Sequence, residues 1–70
     1  MHYIILHDGS GAVVGRISTS DSNQLKNYVD YVDADQETYD SAPEIWGEID
    51  LAVKKLKAKP GHADPRKKPR

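Results

Sequence analysis

Residues 41–57, SAPEIWGEIDLAVKKLK, decide how this chain is read. Ile45, Ile49, Ala52, Val53 and Leu56 recur at i, i+4, i+7, i+8 and i+11, the apolar stripe of a helix laid on a core. Ser41 and Glu44 have capping-box spacing, and Pro43 sits in the first turn, where its missing N–H is no loss. Lys54, Lys55, Lys57 and Lys59 crowd the far end, where the helix dipole favours cations. Trp46, the only tryptophan, lies at the edge of the stripe. The expectation is an amphipathic helix from about Ala42 to Ala58.

Working outward, the preceding segment reads as a second helix. Ser18-Thr19-Ser20-Asp21-Ser22 supplies several N-caps, and Asp21 with Gln24 approximates a capping box. Leu25, Tyr28, Val29 and Val32 follow at i, i+3, i+4 and i+7. A strand competes, because Tyr28-Val29-Asp30-Tyr31-Val32 is rich in β-formers. Cap and stripe together favour the helix, and the short connection to the next implies an antiparallel pair.

The first 18 residues read as a β-hairpin. His2–His7 and Ala12–Ile17 flank Asp8-Gly9-Ser10-Gly11, which opens with the Asp-Gly turn signal. One face carries His2, Ile4, Leu6, Val13, Gly15 and Ile17, and is the expected core face. The other carries Tyr3, Ile5, His7, Ala12, Val14 and Arg16, with Tyr3, Ile5 and Val14 expected to stay exposed. Beyond Ala58, Pro60-Gly61 stops the helix and the remainder offers nothing to bury. The fold expected is α+β: an N-terminal β-hairpin, two antiparallel α-helices (ββαα) over residues 1–58, and a disordered basic tail over 59–70.

Seventy residues without cysteine make one small domain that cannot staple itself by disulfides. Absence of cysteine fits a reducing compartment. No run approaches the length of a membrane helix, and Met1-His2-Tyr3 lacks the charged start of a signal peptide. A soluble, unexported protein with no membrane role, a monomer or weak dimer, is expected.

No motif points to catalysis. Gly9-Ser10-Gly11-Ala12-Val13-Val14-Gly15 superficially matches a phosphate loop, but the dinucleotide pattern needs glycine where Val14 stands, and a strand rather than a helix follows. His2 and His7 point to opposite faces of a strand and cannot share a metal. No serine has a base and orienter beside it. The expectation is no enzyme, no metal and no cofactor.

Charge patterning is the functional signal. A net charge of −1 conceals two blocks. Between Asn27 and Val53 every charged residue is acidic: Asp30, Asp33, Asp35, Glu37, Asp40, Glu44, Glu48 and Asp50. From Lys54 onward Lys54, Lys55, Lys57, Lys59, Arg66, Lys67, Lys68 and Arg70 face the single acid Asp64. Such asymmetry suggests charged macromolecular partners, against a plain solvated surface with a solubilising tail. Tyr31 and Tyr39 lie within the acidic block, where tyrosine is a frequent interface anchor. Leu51 projects away from the helical stripe beside Gly47, bordered by Glu44 and Glu48, and is a contact candidate. The candidate partner-binding residues are therefore Asp30, Tyr31, Asp33, Asp35, Glu37, Glu44, Glu48 and Leu51, with Lys54, Lys55, Lys57, Lys59, Arg66, Lys67, Lys68 and Arg70.

Through MHYIILHDGSGAVVG, the acidic YVDYVDADQETYD stretch and the KPGHADPRKKPR tail, the chain resembles small Pseudomonas phage early proteins that antagonise MvaT, an H-NS-family DNA-bridging silencer. H-NS-family proteins are block-charged, with an acidic oligomerising coil, a basic linker and a DNA-binding domain. The resemblance implies a nucleoid-associated place in the host cytoplasm. It also implies that the acids here meet the partner's linker or DNA-binding domain and the bases its coil, with direct DNA contact secondary. Two alternatives stand beside it: a DNA mimic that inhibits a nuclease or defence enzyme through the acids alone, and a small nucleic-acid-binding accessory protein acting through the tail alone.

Overall fold

The computed structural model describes residues 1–66. Five strands and three short helical segments follow one another as β1 (His2–His7), β2 (Val13–Thr19), a 3-10 helix (Ser22–Asn27), β3 (Tyr31–Ala34), α1 (Gln36–Asp40), α2 (Pro43–Trp46), β4 (Gly47–Asp50) and β5 (Lys55–Ala58). The strands form two antiparallel sheets, one in the order β2-β1-β3 and one made of β4 and β5. This is a strand-rich α+β fold. The ββαα arrangement with its antiparallel helix pair is not what the chain adopts.

The largest departure from the expected fold lies in residues 41–57. Helix is confined to the single turn of α2, and Gly47 leaves it in extended backbone (φ −111°, ψ 161°). Beyond it the chain makes a hairpin in which Ile49 pairs with Leu56 and Gly47 with Ala58. The physical reason is a coincidence of spacing. Residues seven apart share a helix face, but they also stand opposite each other across a hairpin with this turn length. Ile49 and Leu56 satisfy both, so the stripe could not distinguish them. Period-two alternation decides: in Gly47-Glu48-Ile49-Asp50 and Lys55-Leu56-Lys57-Ala58 the charged residues turn outward and the others inward. Ile45 and Val53, expected in the core, are exposed.

The Lys59 N–H donates to the Trp46 carbonyl, so Trp46 and Lys59 form a bonded pair. Antiparallel alternation then turns the peptide groups of Ile49 away from β5. They find another partner, for the Ile49 N–H donates to the Gly11 carbonyl at 2.8 Å, and Ala12 bridges to Glu48. The second sheet is thereby tied to the start of β2.

The expected second helix also breaks. Asp21 does cap it, accepting from the Asn23 N–H at 2.9 Å, but the helix is 3-10 and ends before Tyr28. Residues 31–34 then pair with β1, Ile5 opposite Val32. The β-rich composition wins here because strand pairing buries Val32, whereas Val29 is left 92 % exposed.

The N-terminal hairpin forms, with Ile4 opposite Ile17 and Ile5 opposite Arg16. Its faces are not the expected ones. A bulge between Leu6 and His7 sets His7 opposite Val13 and moves Val13 to the Ile5 side. The main core is on that side: Ile5, Val32 and Ile49 are buried, with Val13, Ala34 and Leu56 packed against them. Tyr3 is covered by Tyr39 of α1 at 5.4 Å between ring centroids. Ile4 is buried too, so the central strand is covered on both faces, and only Val14 of the expected exposed trio is exposed.

Gly11 is where the two sheets come closest. Its φ is +97°, and a Cβ there would stand 2.6 Å from the Ile49 carbonyl oxygen. Gly11→Ala is therefore expected to destabilise by about 1–3 kcal/mol or more, from strain plus displacement of β4. Gly9→Ala, with nothing within 4 Å of the new methyl, should stay within about 0.5 kcal/mol. Chemical denaturation of both variants checks this; equal effects would contradict the account of the junction.

Candidate functional site

In the first sheet β3 is an edge strand, and in the second β4 is tied to Gly11 and Ala12 on its outer side. Between β3 and the β5 side of the second hairpin the two sheets do not close. The gap is a groove lined by Val32, Asp33 and Ala34 on one lip and by Lys54, Lys55 and Leu56 on the other, with Ile5 at its floor. Past Tyr31 and Lys54 it runs into a notch bounded by His7, Gly9, Val29, Asp30 and Leu51. The groove exists because Ile49 fills the core from the hairpin's inner face while, among the described residues, no strand pairs with the outer side of β5.

Each lip keeps one sign of charge. Asp30 and Asp33 belong to the β3 lip, Lys54 and Lys55 to the other. Lys54 holds its place by an unusual backbone: its φ is 54°, in the left-handed region, at the end of the turn that joins β4 to β5. Asp50 closes the turn by accepting from the Ala52 N–H at 3.0 Å. Leu51 stands exposed in this turn rather than on a helix, and Tyr31 is half-buried at the opposite lip.

The remaining candidates are placed differently. Glu44 pairs with Arg16 at 3.0 Å, and Arg16 also lies over the Tyr39 ring at 5.0 Å. Glu48 meets Lys57 across the hairpin at 3.6 Å. Lys59 reaches the Glu44 and Ile45 carbonyl oxygens at 3.5 and 3.4 Å, a cation at the end of α2. Asp35 is the N-cap of α1, accepting from the Thr38 N–H at 2.8 Å, and Glu37 is exposed in its first turn. Lys67, Lys68 and Arg70 lie outside the described residues.

Arg66 corrects the expectation of a tail with nothing to bury. Its guanidinium lies 5.2 Å from the Trp46 ring centroid, donates to the Thr38 hydroxyl at 2.9 Å and pairs with Asp64 at 2.8 Å. Asp64, hydrogen-bonded and in direct contact, raises the Arg66 pKa above its ordinary value. Trp46, whose indole N–H donates to the Ser41 carbonyl at 3.0 Å, is buried, as is Thr38. Residues 64–66 thus close the groove at its Ala34 end. Thr38, Asp64 and Trp46 were not singled out as site residues in the sequence. The Asp64-Pro65-Arg66 spacing was a local signal for the ion pair, but nothing local announced its packing on Trp46.

Among the described residues no three His, Cys, Asp or Glu side chains come together as metal ligands. No helix among them is long and apolar enough to cross a membrane. The chain matches no family model, no curated protein and no solved structure, so its function has to be argued from its own residues.

Two carboxylates bind the fold to pH. Asp8 accepts from the Ser10 hydroxyl, the Ser10 N–H and the Ala12 N–H, and these bonds lower its pKa. Asp35 is lowered by the Thr38 hydroxyl first, then by the Thr38 N–H and the charge of Arg66. A lowered folded pKa means that the stabilisation is complete above the ordinary value of 3.8 and is lost as pH falls through the lowered values. The thermal midpoint should therefore drop as pH is taken from 5 to below about 3. In the Asp8→Asn, Asp35→Asn double variant, which keeps the acceptors but cannot titrate, that drop should be shallower. An identical pH profile would show that these two caps do not carry the acid sensitivity.

Proposed function

We propose that the chain is a protein-binding antagonist of an H-NS-family DNA-bridging silencer such as MvaT, acting without catalysis at the host nucleoid. The observation that supports this reading is a groove whose lining carries acids from one element and bases from the other: Asp33, with Asp30 in the adjoining notch, beside Lys54 and Lys55. A partner with a basic and an acidic block could be held at both lips. A uniformly charged partner such as duplex DNA would be repelled by one of them. The sequence resemblance points the same way.

Six of the other charged candidates are engaged within the molecule: Asp35, Glu44, Glu48, Lys57, Lys59 and Arg66 each hold an internal contact. The groove charges Asp30, Asp33, Lys54 and Lys55 take part in none of the ion pairs among the described residues. Lys67, Lys68 and Arg70 add to the basic side in sequence. Binding of this kind steers and orients more than it anchors, and it weakens as salt screens it. Such a clamp would alter how the silencer bridges DNA.

The test is binding of a purified H-NS-family protein across a salt series by two variants, Asp30→Asn with Asp33→Asn and Lys54→Gln with Lys55→Gln. Each pair should weaken the complex about fivefold or more at low salt and less at high salt. Both should leave folding within about 0.5 kcal/mol. Sensitivity to the acids alone would favour a DNA mimic, and gain of duplex-DNA binding on removing the acids a nucleic-acid binder. Indifference to both pairs would end the two-lip reading.

A further inference from the structure

We infer that the groove takes an extended strand of a partner protein, with alternating basic and apolar residues, which adds to the outer edge of β3. This deepens the reading of the groove as a protein-binding site and rests on it.

The backbone carries the inference. The His7 N–H donates to the Asp30 carbonyl, which makes His7 and Asp30 a bonded pair. Asp30, Val32 and Ala34 then direct their peptide groups to β1, and Tyr31 and Asp33 direct theirs outward. Among the described residues no strand or isolated bridge lies on that outer side. β3 therefore presents two N–H and two C=O groups to whatever enters the groove. A free edge of this kind is a template for another strand.

Alternation across the edge specifies the occupant. The residues standing opposite Tyr31 and Asp33 exchange hydrogen bonds with them and carry side chains on the Asp33 side of the sheet, so a lysine or arginine opposite Asp33 meets its carboxylate and one opposite Tyr31 lies along the phenol ring. The residues between them point to the other side, where half-buried Leu56 and the aliphatic stems of Lys54 and Lys55 line the groove beside Val32. An apolar side chain fits opposite Val32, and the next stands opposite Asp30, at the mouth of the notch that Leu51 and Lys54 also line. Between Asn27 and Ala34 the charged residues are Asp30 and Asp33, both acidic. Arg66 closes the Ala34 end, so the added strand is short, matched to the roughly 13 Å of β3.

The experiment uses the isotope-labelled full chain and three capped pentapeptides: Lys-Val-Lys-Val-Lys, the same peptide N-methylated at two lysine amides, and Glu-Val-Glu-Val-Glu. The lysine peptide should shift the amides of residues 31–34 and slow exchange at Tyr31 and Asp33. The methylated peptide keeps its charge but loses backbone donors, and should bind about tenfold more weakly. The glutamate peptide should not bind. Equal binding of the methylated peptide, shifts confined to α1 and α2, or no shift at millimolar peptide would each overturn strand addition. So would concentration-dependent dimerisation that protects Tyr31 and Asp33 without peptide, for the occupant would then be a second copy. The two readings separate cleanly. If a purified H-NS-family protein binds while methylation has no effect, strand addition fails alone; if the peptide pairs with β3 and no such protein binds, the silencer reading fails alone.

Discussion

The structure depends on how Ile49 is held. Its side chain completes the core with Ile5 and Val32, its backbone N–H is taken by Gly11, and its cross-strand neighbour is Leu56. Burying a residue of this size is worth about 1.5–3 kcal/mol, a large share for a chain this short. The same contact fixes the second hairpin against the first sheet. Were β4 a few ångströms away, Lys54 and Lys55 would not line a groove with Val32 and Asp33. Gly11 makes the approach possible, being the one residue there that tolerates both a positive φ and a carbonyl at contact distance.

Local signals were legible where chemistry is local. The Asp-Gly turn, the Asp21 cap and Pro43 in a first helical turn all stand where spacing and hydrogen bonding put them. What could not be read was decided by tertiary contact. The apolar stripe of residues 45–56 is equally a hairpin pattern, and the choice falls to Gly47, whose close approach to Leu56 and to the Pro43 carbonyl leaves no room for a side chain. The face of Val13 was inverted by a single bulge. Ser41, expected to cap the following helix, instead ends α1 and accepts the Trp46 indole, while Ala42 turns the corner with φ 54°. The candidate site was legible in part. Asp30, Tyr31, Asp33, Leu51, Lys54 and Lys55 come together around one groove, but Val29 and Thr38 were not among the candidates.

Block charge in the sequence and charge on the surface are different quantities. Folding brings Arg16 to Glu44, Lys57 to Glu48 and Arg66 to Asp64, so much of the apparent separation is neutralised at short range. The most exposed of the three, Lys57–Glu48, contributes little to stability. Their consequence is selective: among the described residues they leave Asp30, Asp33, Lys54 and Lys55, all lining the groove or its notch, outside the ion pairs. The indole–guanidinium contact of Trp46 and Arg66 adds a boundary, ending the groove where α1 begins.

The most direct measurement is an NMR determination of the backbone over residues 43–58. The account predicts a close contact between the α-protons of Ile49 and Leu56, which antiparallel geometry places at a non-bonded pair with Cα atoms about 4.5 Å apart. It also predicts slow amide exchange at Ile49, whose N–H is held by Gly11. A continuous series of α-proton to amide contacts three residues apart from Pro43 to Lys57, with no Ile49–Leu56 contact, would mean that this stretch is a helix after all, and the groove with its two lips would go with the hairpin.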